Sequence, residues 1–68
     1  MTLGEYIAVT RKRNGFTIRQ MAAMAGMSNA TICQIETGKI SSPGWWNVVK
    51  IAKVLNLNLN RLSSYDNE

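Results

Sequence analysis

Two side-chain amides, Asn29 and Gln34, stand in a short segment that also carries Ser28 and Ala30. An amide donates and accepts at once, so each can match the edge of an adenine bidentately, while a small apolar residue such as Ala30 can pack on a thymine methyl. At helical spacing Ile32 and Ile35 take one side of this segment; Ser28, Asn29, Ala30 and Gln34 take the other, with Thr31 and Cys33 at the flanks. The bland alternatives are a helix-start role for Asn29 and plain surface polarity for Gln34. A second set of residues suits phosphate. Thr17 and Arg19 stand at the start of a helical segment, where unpaired backbone N–H groups favour anions. Thr31 adds a hydroxyl, and Thr37, Lys39, Ser41 and Ser42 form a polar loop that is otherwise read as merely solvated. Lys12, Arg13, Lys50, Lys53 and Arg61 are read as general field or solubility.

The charge balance agrees with an anionic partner. Eight Lys and Arg oppose four Asp and Glu, for a net charge of +4. Between Tyr6 and Tyr65 the single acid Glu36 faces all eight cations, hence +7 over that stretch. Such a body attracts polyanions, either nucleic acid or an anionic membrane surface. Catalysis is not expected. Histidine is absent, which removes the usual general base and the commonest metal ligand. One cysteine, Cys33, builds neither a disulfide framework nor a zinc site. Neither glycine-rich phosphate loop, GxxxxGK[ST] or GxGxxG, occurs. No cofactor, metal or small-molecule ligand is expected. Cys33 is read as inert rather than as a redox switch, and Met21, Met24 and Met27 as core filling rather than a metal site.

The elements that must position these groups are short helices. Thr2 and Glu5 have capping-box spacing, and Leu3, Ile7 and Arg11 share one face of a first helix running from about residue 3 to 13. Asn14-Gly15 stops it. Thr17 and Gln20 repeat the box, with Phe16 and Met21 placed for a hydrophobic staple, and the second helix stops at Gly26. Ser28 caps a third, which ends at Gly38. Two helices of about eight residues around Gly26-Met27-Ser28 make a helix-turn-helix. Ser42 and Pro43 signal a fourth, with Trp45, Val48, Ala52 and Leu55 inward and Asn56 as a left-handed stop. Trp46, Val49 and Lys53 form a stripe outside it, so Trp46 is a partner contact, a sugar–phosphate contact or a core edge. Asn58 caps a last short helix from Leu59 to about Ser64.

With Leu3-Gly4, Ile7, Arg11, Phe16-Thr17, Met21-Ala22, Gly26, Ser28, Thr31-Ile32, Ile35-Glu36-Thr37-Gly38-Lys39, Pro43, Val48, Ile51-Ala52-Lys53, Leu55, Leu57 and Leu62 at these spacings, the chain resembles the Cro/repressor-type helix-turn-helix DNA-binding domains, the XRE family. The resemblance implies an all-α, five-helix, lambda-repressor-like bundle whose third helix enters the major groove. It implies that Arg11 and Glu36 form a partly buried ion pair between the first and third helices, and that residues after Leu55, notably Leu57, Leu59 and Arg61, contribute to pairing of two copies. Three positions depart from the family pattern. Ile18 replaces a glutamine that touches phosphate and braces the reading helix, a phosphate contact that Arg19 could take over; Asn56 replaces glycine; Trp46 replaces a polar residue.

Sixty-eight residues make at most one domain, read as residues 1–64 with a disordered tail at 65–68. The N-terminus lacks the basic start and apolar stretch of a secretory signal, and no apolar run is long enough for a membrane span. The expected protein is soluble and cytoplasmic, associated with the nucleoid through double-stranded DNA. It is read as a transcriptional regulator, more readily a repressor than an activator, binding a near-palindromic operator as a homodimer through Trp46, Leu57, Leu59 and Arg61. Two rival readings are an antitoxin-type or other protein-binding module that also binds DNA, and an anionic-membrane peptide.

Overall fold

The computed structural model describes residues 2–40 and 44–57. Over these the chain is all-helical, in the order α1 (Leu3–Arg13), α2 (Ile18–Ala25), α3 (Asn29–Glu36) and α4 (Trp45–Leu55). These are four of the five expected helices. The segment assigned to the fifth, from Leu59 to Ser64, lies outside the described residues, as do Ser41, Ser42 and Pro43.

Local chemistry fixes the helix starts. At α1 the Thr2 hydroxyl accepts from Glu5 N–H, and the Glu5 carboxylate accepts from Thr2 N–H. Thr17 and Gln20 make the same reciprocal pair at α2. Ser28 accepts from Thr31 N–H at α3. Each bond satisfies a backbone donor that the first turn of a helix leaves orphaned. Gly26 ends α2 at φ 68°, and Asn56 ends α4 at φ 56°; a short polar side chain tolerates that conformation best after glycine.

The start of α4 differs from expectation. It is capped by Gly44 at φ 83°, with no side-chain hydrogen bond, and its first helical residue is Trp45 rather than Pro43. Trp45 is consequently not on the inward stripe but 48% exposed, while Val48, Ile51, Ala52 and Leu55 are buried. At about 100° per residue Trp45 falls on the shoulder of that stripe, one turn before its first fully buried member. Met24 is also outside the core, at 51% exposure, because Met21, Ala22 and Ala25 take the inward positions of α2.

The core joins all four helices: Leu3 and Ile7 from α1, Met21 and Ala22 from α2, Ile32 and Ile35 from α3, and the α4 stripe. Phe16 and Ile18 pack against it from the entry to α2, consistent with a staple. Both α3 and α4 pack on α1 and α2. The approach of α1 to α3 is close enough that a Cβ on Gly4 would overlap the carbonyl oxygen of Ile35 and lie 2.9 Å from that of Glu36. Glycine here is required by space, not by its dihedral angles.

Candidate nucleic-acid interface

The buried Ile32 and Ile35 set the rotation of α3. Asn29, Ala30, Cys33 and Gln34 then fall within roughly 140° of one another on the outer side, at about 100° per residue. Asn29, Ala30 and Cys33 are exposed and Gln34 is half-buried. Neither the Asn29 nor the Gln34 side chain has a hydrogen-bond partner among the described residues, so neither amide is spent on the described fold. Eight residues make a helix about 12 Å long, comparable to the width of a B-DNA major groove.

Ser28 and Thr31 form a local hydroxyl pair, 2.7 Å apart, beside the Ser28 cap. One of their two hydroxyl protons is consumed between them, and one is left to donate outward. Thr31 is half-buried and Ser28 exposed. At the other end of α3 the Thr37 hydroxyl donates to the Cys33 carbonyl at 2.9 Å. Its proton is therefore spent on the helix end, and an anion at Thr37 would have to displace that bond. Lys39 is exposed in the following turn, which is held to α3 by Gly38 N–H donating to Ile35 O and Ile40 N–H to Gln34 O.

At the start of α2, Thr17 and Arg19 are exposed. The Thr17 backbone N–H donates to the Gln20 side chain and the Thr17 hydroxyl accepts from Gln20 N–H, so the anion-seeking donors left there are the Thr17 hydroxyl proton, the Ile18 and Arg19 N–H groups and the Arg19 guanidinium. Ser41 and Ser42 lie outside the described residues, as do Leu59 and Arg61. Leu57 is half-buried against the core, and Trp46 is 75% exposed, the most exposed large hydrophobic residue described.

Arg11 and Glu36 tie this surface to the scaffold. Arg11 Nε and Nη2 donate to the two Glu36 oxygens at 2.7 and 3.1 Å, and Nη1 donates to the Phe16 carbonyl at 2.7 Å. The two side chains are 9% and 7% exposed. One guanidinium thus joins the last turn of α1, the last residue of α3 and the entry to α2. The pairing also removes Glu36 from the surface field. Among the described residues Glu5 is then the one exposed acid, against the exposed cations Lys12, Arg13, Arg19, Lys39, Lys50 and Lys53.

Sequence reasoning missed three features of this arrangement. The Phe16 carbonyl as third partner of Arg11 has no sequence signal. The Ser28–Thr31 hydroxyl pair could have been read from their spacing of three. Gly4 left a clear trace: a glycine inside a helix costs about 1 kcal/mol relative to alanine, so its presence asks for a close approach.

Among the described residues no helix is long and apolar enough to cross a membrane, and no group of three His, Cys, Asp or Glu could hold a metal ion. The chain matches the helix-turn-helix domain family over residues 2–63. It is similar to an uncharacterized HTH-type transcriptional regulator, RghRB, of Bacillus subtilis (strain 168): 36% identical over 52 residues, covering 76% of this chain and 37% of that protein. It is also similar to the HTH-type transcriptional regulator SlrR of the same organism: 32% identical over 60 residues, covering 88% of this chain and 40% of that protein. The chain thus spans well under half the length of either relative. No solved structure matches it.

Proposed function

The chain belongs to the XRE-like helix-turn-helix domain family, and from that membership we propose that it is the DNA-binding part of a transcriptional regulator, with α3 seated in the major groove of double-stranded DNA. The observation that carries this reading is the outer edge of α3, where two amides not spent on the described fold stand on a helix whose rotation the buried isoleucines lock. Asn29 and Gln34 read base edges, with Ser28 and Ala30 beside them. Arg19 and the first N–H groups of α2, with Lys39 beyond the end of α3, hold phosphates on either side and set the register. Thr17, Thr31 and Thr37 line the same path; of these, Thr17, and Thr31 with Ser28, have a hydroxyl proton to give. Ser41 and Ser42 extend it by sequence position.

The regulator acts by occupancy, most simply as a repressor, and two copies engage a near-palindromic operator with half-sites about 34 Å apart. Trp46 and Leu57, with Leu59 and Arg61, are the surface proposed for that pairing. That both relatives are described as HTH-type transcriptional regulators supports the class of function.

The test is selection of bound duplexes from a random pool, followed by affinity measurements on the selected and a scrambled duplex at several salt concentrations. Asn29→Ala and Gln34→Ala should each weaken binding to the selected duplex by about 1–3 kcal/mol, roughly 5- to 150-fold, and leave the scrambled duplex nearly unchanged. Equal losses on both duplexes would overturn direct reading by α3.

A further inference from the structure

Between α2 and α4 lies a shallow groove of about 370 Å³ lined by Met24, Ala25, Lys50, Lys53 and Val54. Its floor is apolar and two of its five lining residues are ammonium groups. No residue of α3 takes part, and neither do Thr17, Arg19 or Lys39. Among the described residues Lys50 and Lys53 have no carboxylate partner; Glu36 is committed to Arg11, and Glu5 to the cap of α1. Met24, in the last turn of α2, is half-exposed.

We propose that this groove docks an acidic amphipathic segment of a partner protein, an apolar side chain seated among Met24, Ala25 and Val54 and its carboxylates on Lys50 and Lys53. Charge complementarity selects the occupant. The described surface of a second copy offers one exposed carboxylate, and that one is engaged in its own capping box, while Asp66 and Glu68 lie outside the described residues. A duplex backbone supplies phosphates for the lysines but nothing to fill an apolar floor. None of the residues lining the groove belongs to α3, so a segment seated in it does not occupy the outer edge of α3. A partner can therefore bind while α3 engages DNA, which gives the domain a second port through which a regulator or the transcription machinery can be held at the site.

The proposal does not depend on how α3 reads DNA, and its test is separate. A fluorescent peptide with leucines at helical spacing and glutamates between them is titrated into the protein, with a control peptide carrying glutamine for glutamate. Amide chemical shifts map the site. The expected result is saturable binding of the glutamate peptide, shifts centred on Met24, Ala25, Lys50, Lys53 and Val54, and binding weakened about fivefold or more by K50Q/K53Q. M24Q, at an exposed position, should weaken it while leaving the circular dichroism and the melting temperature intact. Shifts centred on α3, or no saturable binding, would overturn the proposal. So would duplex affinity falling as steeply as peptide affinity in K50Q/K53Q, which assigns the lysines to DNA, or self-association abolished by M24Q, which assigns the groove to a second copy.

Discussion

At the scale of single residues, Arg11 matters because every donor it turns inward has an acceptor. Two of its bonds go to Glu36 and one to Phe16 O. The pair is nearly out of water, so its members are worth little apart: a stranded buried charge is costly, while the intact pair roughly offsets its own desolvation. Glu36→Ala should therefore lower stability by about 3–5 kcal/mol in urea unfolding, whereas an exposed cation such as Lys12→Ala should move it by less than about 0.5 kcal/mol. Equal effects of the two would show that the pair is not shielded in solution. The two amides proposed to read DNA are different in kind. Asn29 and Gln34 make no side-chain bond within the described fold, so their replacement should appear in DNA preference and leave the melting curve in place.

At the scale of elements, the helix ends and the α1–α3 contact decide how α3 is held. Alanine for Gly4 would raise helix propensity by about 1 kcal/mol. Its methyl group would nevertheless meet the Ile35 carbonyl, and overpacking against backbone costs typically 1–3 kcal/mol. Gly4→Ala should thus destabilise the domain and shift the amide resonances of Ile35 and Glu36; a stabilised variant would contradict the close approach. The cap of α1 titrates. The Thr2 backbone N–H, and after it the Thr2 hydroxyl, hold the Glu5 carboxyl below its ordinary range. A lowered folded value means that the cap contributes its full support at neutral pH and loses it as pH falls through that value. The Thr2 and Glu5 amides should accordingly fray first in acid, read by hydrogen exchange or chemical shift. Glu5→Gln should abolish that local pH dependence, since Gln20 makes the same box in α2 without titrating.

At the scale of the whole molecule, size sets the margin. A domain of 68 residues is stabilised by roughly 3–10 kcal/mol in all. Truncating a fully buried isoleucine costs about 2–5 kcal/mol, so Ile32→Ala should leave a large unfolded fraction at 37 °C and lose DNA binding with it. Calorimetry showing an unshifted transition would mean that Ile32 is not the anchor of α3.

The pattern of hydroxyls, glycines and apolar residues determined α1 to α3 almost to the residue, and the turn between Gly26 and Ser28 with them. Capping boxes and left-handed stops act within four residues, so they are written locally. The rotation of α3 followed as well, because two isoleucines three apart leave one outward side. What the sequence could not decide lay in contacts between segments distant along the chain. Ser42-Pro43 promised a start that Gly44 makes instead, and Trp45 and Met24 were assigned to a core whose inward positions their neighbours take. The Phe16 carbonyl under Arg11 and the space that excludes a side chain at Gly4 exist only once α1 and α3 are packed together. Hydrogen bonding near a helix end is settled by the nearest few residues, whereas burial depends on which surface arrives from elsewhere, and only the packed tertiary structure supplies that surface.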